Sequence, residues 1–119
     1  MLLQTASPIE VLGTVVLFAL FLSVTAHLAA RNVLGDVDPR RALYVGPLPA
    51  VVGVVGGAFA LPAFFTVPVA LAFDAAMFRW SYDESNRVVA TMTVIHVVIT
   101  VLLGVILGGI ALLIGTRPT

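Results

Sequence analysis

Polar residues along the chain leave three uncharged apolar runs, at residues 11–30, 42–73 and 88–116. The first is about 20 residues long, which at ~1.5 Å rise per residue crosses a ~30 Å hydrocarbon core once as a helix. The second, about 32 residues, would reach almost 50 Å as one helix and must fold back. Pro62 stands near its middle, followed by Phe64, Phe65 and Thr66. The pattern predicts a helix to about residue 61, a tight Pro-containing turn, and a second helix that opens near a Thr66 cap and runs to about Trp80. Because both arms are short, a shallow re-entrant hairpin is the alternative. The third run predicts one helix longer than the core is thick, which must tilt or project. The expected fold is an all-α, up-down membrane four-helix bundle, a single domain over 1–119 with spans at about 9–30, 40–61, 64–80 and 85–115.

End signals sharpen these limits. Ser7, Pro8 and Glu10 give Ser-x-x-Glu with Pro at the first helical position, so Glu10 is expected in a helix cap rather than as a buried acid. A cleaved signal peptide is the competing reading, but Arg residues follow the first run and none precedes it, which favours an uncleaved span. Asp38 and Pro39 predict another N-cap and first-position pair. Pro47 and Pro49 each remove a backbone donor and are expected to bend the helix they enter. Ser81 with Glu84, or Ser85 alone, caps the last helix, and Gly115 and Pro118 mark its end.

Composition sets the solvent. Of 119 residues, 61% are hydrophobic and 10% charged, and mean hydropathy is +1.15. A soluble domain of this size cannot hide so much apolar surface, which argues against a soluble enzyme or a nucleic-acid binder. Net charge is +0 and there is no Cys, which removes disulfides, thiolate metal sites and thiol nucleophiles. All six basic residues are Arg, and five fall in two connections, 31–41 and 79–87. If the middle run crosses twice, or re-enters, both connections lie on one side. The positive-inside rule makes that side the cytoplasm and puts both termini outside. Tyr44, Trp80 and Tyr82 fall at the same expected interface.

Small or polar residues recur at helical spacing on each span, the usual means of association where hydrophobicity offers no drive between helices. Gly53 with Gly57, and Gly104 with Gly108, are GxxxG pairs expected to pack helices within the bundle, with a homodimer face as the alternative. His27, Asp74 and His96 fall inside the expected spans, on the side of the Arg-bearing connections. A charge there costs at least a few kcal/mol unless paired or hydrated, so the three form a candidate intramembrane polar site. Asp74 and His96 could share a proton. The structural reading has Asp74 reaching toward Arg79 or Arg87, His27 bonding near Ser23, and His96 donating to a backbone carbonyl.

No metal-ligand spacing, phosphate loop or nucleophile elbow occurs, so no cofactor, metal or catalytic residue is expected and an enzyme is not the preferred reading. Arg40, Arg41, Arg79 and Arg87 interleave with Asp36, Asp38, Asp83 and Glu84, a salt-bridged rim rather than a lipid-headgroup site. The expected partners are the lipid bilayer and, beyond it, other membrane proteins or further copies of the chain.

Residues 25–37, TAHLAARNVLGDV, with Ser85-Asn86-Arg87 and Ile95-His96-Val97-Val98, resemble small multi-pass proteins of halophilic archaea in an uncharacterised family. The resemblance covers most of the chain, agrees with the absence of Lys, and transfers no activity or site residue. Small multidrug transporters are built around a Glu deep in the first helix, whereas Glu10 stands at the helix start. The Gly-rich, Arg-containing signature of fluoride channels is absent. The preferred expectation is a non-enzymatic accessory, assembly or membrane-organising subunit. The alternative is a small oligomeric proton-linked or ion-conducting transporter using Asp74, His96 and His27.

Overall fold

The computed structural model describes residues 7–117, and among them the chain forms four α-helices, one short 3-10 helix and no strand. Helix α1 spans Pro8–Leu34, the 3-10 helix Pro39–Tyr44, α2 Pro47–Ala58, α3 Ala63–Tyr82 and α4 Asn86–Thr116. Each helix packs on its neighbours in sequence and α4 closes back on α1, giving a four-membered ring. By length and composition, Pro8–Leu34, Pro39–Ala58, Ala63–Tyr82 and Asn86–Thr116 are each long and apolar enough to cross a membrane.

The starts follow local hydrogen-bond accounting. The first amides of a helix lack intrahelical acceptors, and a side-chain oxygen supplies one. Ser7 Oγ accepts from the Glu10 amide, Asp38 Oδ1 from that of Arg40, and Ser85 Oγ from that of Val88. Helix α1 outruns its expected end near residue 30 and stops at Gly35, whose φ of +85° suits glycine.

Three expectations are corrected. Pro47 and Pro49 do not bend one helix over 40–61: the 3-10 helix ends at Tyr44 and α2 restarts with Pro47 at its first position. A prolyl nitrogen in a first turn forfeits no hydrogen bond, whereas inside a continuous helix each would cost one. Thr66 is not a cap either. Helix α3 starts at Ala63 behind an extended Pro62, and Thr66 Oγ1 donates to the Pro62 carbonyl at 3.4 Å. Gly115 lies inside α4, which runs to Thr116, and Pro118 falls outside the described residues.

The α2–α3 turn closes as a Schellman motif. The Leu61 amide donates to the Gly56 carbonyl at 2.8 Å and the Ala60 amide to that of Gly57 at 3.2 Å, with Ala60 at φ +53°. Glycine is the usual residue in that position because a Cβ crowds the left-handed backbone.

Packing concentrates at the end that carries the Arg-bearing connections. Ala26, Ala29 and Ala30 of α1 are fully buried and leave room for Phe78, Tyr82, Val89 and Met92 from α3 and α4. There the two connections meet: Arg41 donates to the Ser81 carbonyl at 2.9 Å, and Ser81 Oγ donates to the Arg41 carbonyl at 2.8 Å. Tyr44 and Trp80 stack edge to face at 5.5 Å. Toward the other end α4 leaves the bundle, and its most apolar 18-residue stretch contains no buried residue.

Close helix crossings occur at Gly46 and Gly56. A Cβ on Gly46 would lie 2.5 Å from the Ala19 carbonyl oxygen and 2.6 Å from the Ser23 nitrogen; one on Gly56 would run into Thr66 Cγ2. A Cβ on Gly53 would touch Phe18 at 3.0 Å, whereas at Gly57, Gly104 and Gly108 it would meet nothing within 4 Å. Of the two GxxxG pairs expected to pack within the bundle, only Gly53 has a neighbour from another helix.

Candidate functional site

The buried residues of α3 are Asp74, Phe78 and Tyr82, one per helical turn on a single face. Val89, Met92 and His96 form the matching stripe on α4. When these stripes meet, the apolar members occupy the packed end and the two ionisable ones come together one layer above it. His96 Nδ1 lies 2.6 Å from Asp74 Oδ2, with side chains only 4% and 5% exposed. The rings of Phe78 and His96 pack edge to face, with centroids 5.4 Å apart and planes at 90°.

Helix α1 completes the arrangement. His96 Nε2 is 3.1 Å from the Leu22 carbonyl oxygen and 2.8 Å from Thr25 Oγ1. Thr25 Oγ1 in turn lies 3.0 Å from the same carbonyl, and Thr100 Oγ1 donates to Thr25 Oγ1 at 3.0 Å. A carbonyl oxygen only accepts, so the hydrogen-bond network assigns a proton to Nε2. One further proton then lies in the Nδ1 to Oδ2 contact, bound either to the carboxyl or to the imidazole. In both arrangements the pair has no net charge, the condition under which it fits an apolar interior without a large desolvation cost.

One acceptor remains. Asp74 Oδ1 is buried and has no hydrogen-bond partner among the described residues. Asp74, His96, Thr100 and Thr66 line a cavity of about 260 Å³ whose other walls are apolar, among them Phe18, Val67 and Val101. The cavity sits above the packed end, where α4 begins to separate from the ring. Val67 and Val101 are also more than half exposed on the outside of the bundle.

Asp74 and His96 are thus brought together, and Asp74 does not reach for arginine; Arg79 donates instead to Asn86 Oδ1. His27 stands outside the network, with a buried Nδ1 that has no partner among the described residues, while Ser23 Oγ donates to the Ala19 carbonyl at 2.7 Å. Thr25 and the Leu22 carbonyl were not legible as site groups. A threonine carries no charge to mark it, although its place on the face of Ala26 and Ala29 was available from helical spacing. Among the described residues no group of three or more His, Cys, Asp or Glu converges as a metal site.

No curated protein and no solved structure matches the chain. A family model does, over residues 5–118, and the chain belongs to the family it describes, a family of unknown function (DUF7473).

Proposed function

We propose that this protein is an integral membrane protein that works as a small proton-linked carrier, with Asp74 and His96 as its proton-binding pair. The observation that carries the reading is the buried 2.6 Å contact between two ionisable side chains that line a cavity, with the second carboxyl oxygen of Asp74 enclosed and unpartnered among the described residues. A pair serving only to staple helices gains nothing from an orphaned acceptor, because an unsatisfied buried oxygen costs stability. Ionisable groups inside apolar spans otherwise mark proton paths. His27 makes no hydrogen bond to the network, so the reading rests on Asp74, His96, Thr25 and Thr100. It includes no enzymatic step. It takes the Arg-bearing end as cytoplasmic, the termini as external, and a halophilic archaeal source from the lack of Lys.

Purified protein in liposomes with an imposed pH gradient tests it. Proton flux, alone or on adding small cations, is expected from wild type across pH 5 to 8 and is expected to vanish in Asp74→Asn that still folds. No flux from wild type under any of these conditions overturns the carrier.

A second reading has its own observation. The far half of α4 is unpartnered and carries Gly104 and Gly108 bare of neighbours, which suits a non-enzymatic accessory or assembly subunit docking on another membrane helix. Under that reading, Gly104→Leu abolishes co-purification of a partner, and Asp74→Asn leaves it intact.

A further inference from the structure

The salt-bridged rim expected of the connecting end is only partly built. Arg40 pairs with Asp38, two residues away, and Arg41 turns to the Ser81 carbonyl. Among the described residues Arg31, Arg79 and Arg87 have no carboxylate within ion-pair distance. Arg79 differs from the others in what lies beneath it. Its guanidinium donates to Asn86 Oδ1 across α3 and α4, at the head of a groove of about 490 Å³ between those two helices. Small side chains hollow the groove out: Ala75 and Ala76 recede one turn from Arg79, and Ala90 one turn from Asn86. The hydroxyl of Thr93 in its wall is already used, donating to the Val89 carbonyl at 2.8 Å. Apart from Arg79 and Asn86, the lining side chains therefore leave no donor without a partner. No carboxylate lines the groove either; Glu84 lines a separate depression with Asp36, Asp38 and Arg41.

From Asn86 to Val94 the groove follows α4 for about 12 Å at ~1.5 Å per residue, most of one leaflet of a ~30 Å hydrocarbon core. Its head lies beside Trp80, which is 66% exposed and stacks on Tyr44, and such amphipathic rings settle at headgroup depth. We propose that the groove between α3 and α4 binds one anionic phospholipid, its phosphate on Arg79 and Asn86 and an acyl chain along Ala75, Ala76 and Ala90. The guanidinium N–H groups not used on Asn86 form a fork that matches phosphate oxygens. The start of α4 adds the positive end of a helix dipole at the same place. An anionic headgroup neutralises Arg79, whereas a zwitterionic one brings a cation of its own and leaves that charge uncompensated. The inference rests on the helices crossing a membrane and is independent of the carrier.

Native mass spectrometry of the detergent-solubilised protein, titrated with phosphatidylglycerol and with phosphatidylcholine of identical chains, tests the site. Phosphatidylglycerol is expected to bind about fivefold more tightly, the preference that one arginine near an anionic headgroup supports. Arg79→Gln should bring the two lipids to parity, while Arg31→Gln, which removes an arginine of α1 that also lacks a carboxylate, should leave the preference intact. Equal losses in both variants would show a diffuse attraction of the whole rim and overturn the site, as would equal binding of the two lipids by wild type. Ala90→Leu fills the groove from an exposed position and should weaken both lipids roughly tenfold, the equivalent of about two methylenes of lost burial. Unaltered binding in that variant overturns the proposal, and decides it if Arg79→Gln does not fold. Displacement of the lipid by an equal concentration of inorganic phosphate would leave an anion site without a chain and overturn it too.

Discussion

The two halves of α4 show how differently one apolar helix can be used. Its first half packs Val89, Met92 and His96 against α1 and α3, while beyond Thr100 nearly every side chain is exposed and the glycines face open space. The second half is the more hydrophobic of the two. In apolar surroundings hydrophobicity does not choose a buried face; close approach of small residues and pairing of polar groups do. At the packed end, three alanines of α1 admit large side chains, and the Asp74–His96–Thr25 network ties α1, α3 and α4 together. The candidate site lies at the boundary between these regimes, where packing is tight enough to bury Asp74 and His96 and loose enough to leave a cavity beside them.

The sharpest way to break this contrast is to orphan one member of the pair. His96→Leu leaves a buried carboxyl without its partner and should cost about 3–5 kcal/mol, whereas Asp74→Leu combined with His96→Leu should regain most of that loss. Thermal unfolding in detergent measures both, and additive losses would mean that the two residues act independently. Next in size is the glycine contrast. Gly46→Val drives a side chain into the α1 backbone and should cost about 2–3 kcal/mol, while Gly104→Leu should stay within about 0.5 kcal/mol of wild type in the monomer. Similar losses at both sites would show that α4 is covered along its far half.

At the hairpin the expected effect has the opposite sign. Ala60→Gly relieves a left-handed alanine and should stabilise the protein by about 1 kcal/mol, read as a raised unfolding temperature. A lowered one would mean that the turn is not held in that conformation. The smallest effect belongs to the exposed rim. The hydrogen bonds from the Arg40 side chain hold the Asp38 carboxyl below its ordinary value of 3.8. The contribution of that cap is therefore complete above the ordinary value and is lost as pH falls through the lowered one. Asp38→Asn should remove this part of the acid dependence, leaving stability near neutral pH little changed.

How much of this was written in the sequence varies by residue. The helices, their caps at Ser7, Asp38 and Ser85, and the fold-back at Pro62 follow from local chemistry: short-range hydrogen bonds, missing prolyl donors and run lengths set against a fixed bilayer thickness. Asp74 and His96 stood out because an ionisable group in an apolar run is conspicuous wherever it sits. Local rules could not separate a bend at Pro47 from a restart, since either accommodates the same missing donors and only the packing of the 3-10 helix decides. Nor could spacing tell Gly46 and Gly56, which sit at crossings, from Gly104 and Gly108, which do not.

The chain alone thus determined which segments are helical, where the first and last of them start, and which side chains would be costly to strand in hydrocarbon. The tertiary structure decided which of those side chains are not stranded. Asp74 and His96 are 22 residues apart, and His96 and Thr25 are 71 apart. Their meeting depends on the rotation and crossing of whole helices, and those are fixed by contacts between segments that no local pattern records.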